Sequence, residues 1–271
     1  MRPRLALSVL LLLCFMPVQL FAVDMNLIIV IDPIVRPDFG EIQIPDYDFT
    51  MQDCSATVVT ENSTYDTDPS LHNGQLAWSG EDPNTGTRQI FLWNVDDPVG
   101  TASMVTSASI DGRYPSLYNG QIAYKSTDSW FNGNISMYDG TQNSSVTTGE
   151  DTWAISPSLY HNGLAYSRYE DGDFEIYYQA GLSTQQITDN TTNDSSPSLY
   201  NGTIAWMGHD GSDYEIYYWD GSTVHQITNN SYDDTYPSLY AGTIAWQGQN
   251  STTSEIFYWN GSTILQITND N

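Results

Sequence analysis

Lysine and arginine are scarce in this chain, seven against 33 aspartates and glutamates, and the formal net charge is −26. A field of that sign repels phosphate backbones and anionic head groups, so nucleic acid and membrane surfaces are excluded as expected partners. Cysteine is nearly absent: Cys14 lies in the N-terminal apolar run and Cys54 stands alone after it. Once the first residues are removed, no intramolecular disulfide can form, and stability must come from packing and hydrogen bonds. No stretch reaches the roughly 20 apolar residues of a membrane-spanning helix. Gly-x-Ser-x-Gly does not occur, and His72, His161, His209 and His225 show no zinc spacing. A stripe of apolar residues at 3.6 spacing is missing too, which argues against a helical array.

What is present begins with Arg2 and Arg4, an apolar run over residues 5–16, Pro17, and a cleavage site after Ala22. That is the layout of a secretory signal peptide, so the mature chain is expected to start at Val23 in an extracytoplasmic compartment: periplasm, cell surface or medium. Retention of the run as an anchor is the alternative. With the signal cleaved, no membrane insertion is expected.

One phrase recurs five times, Pro69-Ser-Leu-His-Asn-Gly-Gln-Leu-Ala-Trp78 and its counterparts from Pro115, Pro157, Pro197 and Pro237, at spacings of 46, 42, 40 and 40 residues. A period near forty built of short strands is the mark of propeller blades. In the unit from Pro197 to Tyr236, residues 197–200 and 203–207 flank Asn201-Gly202, a tight-turn dipeptide. Residues 214–219 and 223–228 flank a second, Asp220-Gly221. The fold class is therefore all-β: a propeller of four-stranded antiparallel blades. Five complete blades are favoured, with a reduced sixth blade from residues 23–60 as the alternative. The domains read as signal 1–22, N-terminal extension 23–55 and propeller 56–271. Trp78, Tyr124, Tyr166, Trp206 and Trp246 end the second strands and are expected in the core between blades, since large rings supply most buried area in small sheets.

Ten and nine residues before four of the prolines stand Val59-Thr60, Val105-Thr106, Ile187-Thr188 and Ile227-Thr228, and Asp66, Asp194 and Asp234 lie three before theirs. This order, Ile-Thr, Asp-x-x-Pro, an aromatic with Gly, then Ile-Ala-aromatic, resembles the blade motif of TolB-like propellers, a WD40-like repeat family. The resemblance covers residues 56–271 and implies the architecture. The motif is shared by translocation proteins, peptidase propellers and surface proteins, so it implies no single activity.

Candidate sites are few. Under the resemblance Asp66, Asp194 and Asp234 open the innermost strands near one mouth of the channel. They are expected either to bond the loop backbone before the proline or to form a carboxylate ring for a cation or basic peptide. Glu170-Asp171-Gly172-Asp173 and Asp210-Gly211-Ser212-Asp213 occupy the same loop in adjacent blades; Asp171, Asp173, Asp210 and Asp213 are candidate calcium ligands, though Asp and Gly are also ordinary turn formers. No other cofactor is expected. No catalytic residue can be singled out, and the chain reads as no enzyme but an acidic, secreted scaffold for a protein partner. Lectin-like glycan binding is the alternative, with a polysaccharide hydrolase or lyase behind it.

Overall fold

The computed structural model describes residues 10–12, 56–60, 64–98, 101–127, 133–148, 153–250 and 253–269. Five four-stranded antiparallel sheets follow one another along the chain, each in simple sequence order from first strand to fourth. The first strands are Asp66–His72, Asp111–Tyr118, Ala154–Tyr160, Asp194–Tyr200 and Asp234–Tyr240. We call the sheets blades one to five. Among the described residues no helix is long and apolar enough to cross a membrane.

The repeat phrase has a structural reason at almost every position. The turn after the first strand holds Asn201 at φ 47° and Gly202 at φ 80°, both left-handed, as a two-residue hairpin turn needs. Within the first strand the residue before proline sits near φ 55°, as at Ser196, and the register slips between Ser195 and Ser198. This bulge frees the serine of Pro-Ser-Leu, whose hydroxyl accepts the N–H of the next blade's leucine. Ser70 takes it from Leu117, Ser116 from Leu159, Ser158 from Leu199 and Ser198 from Leu239, all at 2.8 to 2.9 Å.

The Ile-Thr pair does comparable work within a blade. Its threonine hydroxyl accepts the N–H of the isoleucine in the third strand, at 2.8 to 3.0 Å, for Thr106 and Ile90, Thr147 and Ile135, Thr188 and Ile176, Thr228 and Ile216, and Thr268 and Ile256. The outer strand stops its ladder near this point, so without the hydroxyl a backbone donor would go unmatched.

Blades join through apolar side chains. Ala165 and Ile176 of blade three pack with Leu199, Ile204 and Trp206 of blade four, and the same set recurs at the other joints. The five repeat aromatics are at most 3% exposed, which is the core role expected of them. The fifth and first blades break the pattern. Ile256 is 44% exposed where its four counterparts are fully buried, and Leu71 is 39% exposed where Leu117, Leu159, Leu199 and Leu239 are at most 7%. Among the described residues a seam therefore separates blade five from blade one.

Before blade one, Ala56–Val58 pairs antiparallel with Leu10–Leu12, Leu10 opposite Val58. Val59 then packs with Leu76, Trp78 and Trp93. Residues 56–60 thus stand where a fourth strand would precede a blade, and their partner lies within the stretch that reads as the signal. The cleavage site after Ala22 and residues 23–55 of the alternative sixth blade fall outside the described residues.

Candidate functional site

Because strands alternate in direction, the propeller has two distinct faces. One carries the starts of the first strands with the loops between second and third strands. The other carries the Asn-Gly turns. Each face assembles a different set of chemical groups.

On the first face, Asp194 and Asp234 are 3% exposed. Asp194 Oδ1 accepts from Trp206 Nε1 at 2.8 Å and its Oδ2 from Asn190 Nδ2 at 2.6 Å. Asp234 repeats the arrangement with Trp246 and Asn230, at 2.8 and 2.7 Å, and Asp66 Oδ1 accepts from Trp78 Nε1 at 3.1 Å. Burial pushes the Asp194 carboxyl up to about 6, opposed by the Trp206 and Asn190 hydrogen bonds. All three aspartates expected at a channel mouth thus hold an indole of their own blade, and Asp194 and Asp234 also tie it to the loop asparagine before them.

The neighbouring glycine belongs to the same device. Asp194 faces Gly208 across the ladder, and a Cβ on Gly208 would fall 2.3 Å from Asp194 Oδ1. Asp66 with Gly80 and Asp234 with Gly248 are alike, at 2.7 and 2.5 Å. Blades two and three carry Tyr124 and Tyr166 in place of tryptophan, and there the pair is Gly112 with Ser126 and Ala154 with Arg168. Indole, carboxylate and glycine come together or are lost together. That covariation within the repeats was available in the sequence.

The calcium candidates fall into two unequal settings. In blade three the loop is a two-residue turn with exposed Asp171 at φ 53°, and Asp173 is buried in the third strand. Glu170, which could have joined them, receives the Tyr177 hydroxyl and lies 3.8 Å from Arg168 Nη2. In blade four the loop is longer, and Asp210, Asp213 and Glu215 each place one carboxylate oxygen within 4.8 Å of the others. Asp210 Oδ1 accepts from the N–H groups of Ser212 and Asp213 at 2.8 and 3.3 Å, which hold its carboxyl below the usual range. Glu215 is missing from the expected set because, inside a strand, it reads as one more polar residue of an alternating pattern.

On the opposite face the first strands each end in an aromatic or histidine, and these rings touch in series. Centroids are 4.2 Å apart for His72 and Tyr118, 4.9 Å for Tyr118 and Tyr160, 4.5 Å for Tyr160 and Tyr200, and 4.8 Å for Tyr200 and Tyr240. His161 adds to the arc, its Nε2 2.9 Å from the Tyr118 hydroxyl. Burial falls along it, from Tyr118 at 8% exposed to Tyr240 at 39%. The repeat aromatics expected in the core lie elsewhere, so this arc is a second, independent set. Reading Tyr118, Tyr160, Tyr200 and Tyr240 only as strand ends hides it.

Taken together, the five sheets, the motif bonds and the two faces define a β-propeller fold. No family model and no curated protein matches the chain. Among solved structures, it resembles the putative TolB of Agrobacterium tumefaciens, with a TM-score of 0.59, 14% identity, and coverage of 78% of this chain and 83% of that one. TolB of Acinetobacter baumannii gives 0.56 at 18% identity, over 76% of this chain and 54% of that one. A puromycin-hydrolysing peptidase of Mycobacterium tuberculosis gives 0.64 at 15% identity, over 80% of this chain but only 39% of the peptidase. This last likeness corrects the expectation of no enzyme: the same fold occurs in enzymes, of which this chain spans about two fifths.

Proposed function

We propose that the chain is an exported propeller scaffold that binds a protein partner on the face carrying the Asn-Gly turns. The arc from His72 through Tyr118, Tyr160 and Tyr200 to Tyr240 carries this reading, because it is a contiguous, partly exposed aromatic surface held on rigid strands. Tyrosine offers a large apolar face and a hydroxyl at little entropic cost, which is why it is enriched in recognition surfaces. Rigid placement lowers the ordering cost of binding further. The TolB-like fold supports a scaffold role, and the export signal read from residues 1–22 supports an extracytoplasmic setting.

The test is affinity capture from extracellular and envelope fractions with the wild-type protein and a Tyr200→Ala/Tyr240→Ala variant of matched thermal midpoint. A protein retained by the first and lost by the second is the expected result. Equal retention by both, or a glycan-array signal with no protein captured, would overturn the reading.

A further inference from the structure

We propose that blade four holds a calcium ion, on the face opposite the aromatic arc, ligated by Asp210, Asp213 and Glu215. Three observations support the site, and the first and third stand apart from the acidic residues being clustered.

The first is a buried, unmatched oxygen. Glu215 is fully buried; its Oε1 accepts the Asn230 N–H at 2.6 Å, while Oε2 has no hydrogen-bond partner. Both oxygens of Asp213 are likewise buried and unmatched; blade three repeats this in part, at one oxygen each of Asp173 and Glu175, and what blade four adds is the third carboxylate, Asp210. A buried carboxylate is normally paired or bound to metal, since its desolvation is otherwise uncompensated.

The second is spacing. Calcium takes oxygen ligands at about 2.3 to 2.6 Å, so two ligands on one ion can be at most about 5 Å apart. The three oxygens satisfy that limit pairwise, within 4.8 Å.

The third is the comparison among blades. In blade five the residue equivalent to Asp213 is Thr253, whose hydroxyl donates to Glu255 Oε1 at 3.0 Å, and Thr268 donates to Oε2 at 2.6 Å. There a side-chain donor on the loop takes up the glutamate and no cation is needed. Blade four keeps the counterpart of Thr268, Thr228, beside Glu215, but replaces the loop donor with a carboxylate and adds Asp210, reversing the polarity of what can sit on the loop side of the glutamate. A hard cation supplies the missing positive partner. With three carboxylates and remaining positions open to water, the affinity belongs to the range of about 10⁻⁴ to 10⁻³ M typical of extracellular modules.

The test uses the whole protein and two readouts. Terbium, a calcium surrogate, should luminesce on excitation of Tyr214 beside the site, be displaced by millimolar calcium, and titrate to one ion per chain. Calcium should also raise the thermal midpoint by a few degrees relative to chelator. Asp213→Thr copies blade five and should fold normally while losing both responses, and Asp210→Asn should weaken them at least several-fold. Asp173→Asn in blade three should keep both. Absence of either response in wild type at 10⁻² M cation, or unchanged responses in Asp213→Thr, would overturn the proposal and leave Glu215 as a carboxyl that is simply protonated.

Discussion

Replacing Trp206 by tyrosine and Asp194 by alanine rebuilds in blade four the combination that blade three already has, Tyr166 with Ala154. The pair should cost less than the two single changes added together. Asp194→Ala strips the acceptor from an indole that is 1% exposed, and an unmatched buried donor costs about 1 to 3 kcal/mol. Trp206→Tyr leaves the 3%-exposed carboxylate without its indole donor, a penalty of the same order, and adds the loss of ring packing. In the double variant neither the indole nor the carboxylate is stranded, so what remains is the packing loss together with the Asn190 amide's lost acceptor, which Asp194→Ala shares. The sum of the single effects should therefore exceed the double effect by about 2 kcal/mol or more. Equilibrium unfolding in urea at pH 7, followed by far-ultraviolet circular dichroism so that removing a tryptophan does not alter the probe, measures all four species. Additivity within about 0.5 kcal/mol would mean that the carboxylate and indole are energetically independent, and the account of the Asp, Trp and Gly set would fall.

Other expectations follow from the same contacts. Thr228→Val removes the hydroxyl that accepts the Ile216 N–H and should cost about 1 to 2 kcal/mol in urea unfolding; a neutral result would deny the Ile-Thr pair its role. Ile216→Ala at a buried joint should cost about 2 to 5 kcal/mol, and Ile256→Ala at the seam less than half as much; equal losses would show that blade five is covered. Asp194 has its carboxyl raised from 3.8 to about 6 in the folded protein, so the fold binds its proton more tightly than the unfolded chain does. That contribution is fully present below about pH 3.8 and is lost as pH rises through about 6, a fall on the order of 3 kcal/mol. Asp194→Asn should flatten stability across this window, and an unchanged pH profile would assign the titration elsewhere.

Much of the architecture was legible because the repeat states it locally. Asn201-Gly202 names its turn, the forty-residue period names the blade, and Trp206 and its counterparts name the joint. Side-chain bonds that cross blades were less legible: Ser198 and Leu239 are 41 residues apart, and nothing in Pro-Ser-Leu says that the hydroxyl answers the following blade. Asp194 looked like a loop-capping residue because three positions from proline is a local relation, whereas Trp206 meets it only after the strand has folded back. Glu215 escaped notice for a related reason. A polar residue precedes isoleucine in every third strand, Gln89, Asn134, Glu175, Glu215 and Glu255, and that constancy suggests an alternating sheet face until the threonine of the Ile-Thr pair is placed beside it. The two halves of the reading that concern chemistry, the loop cluster and the tyrosine arc, depend on which residues different blades bring side by side, and periodicity alone does not encode that.

The serine-to-leucine bond between consecutive blades has a consequence for how such a molecule can change. Every coupling uses the same donor and acceptor in the same two positions, so a copied cassette of forty residues arrives with both halves of its connector already made. Growth or loss by whole cassettes keeps every connector intact, whereas a gain of one or two residues inside a first strand would offset serine from leucine along the line. The unequal spacings at the start of the array, against 40 and 40 at its end, are accordingly accommodated in the loops, where length is free to drift.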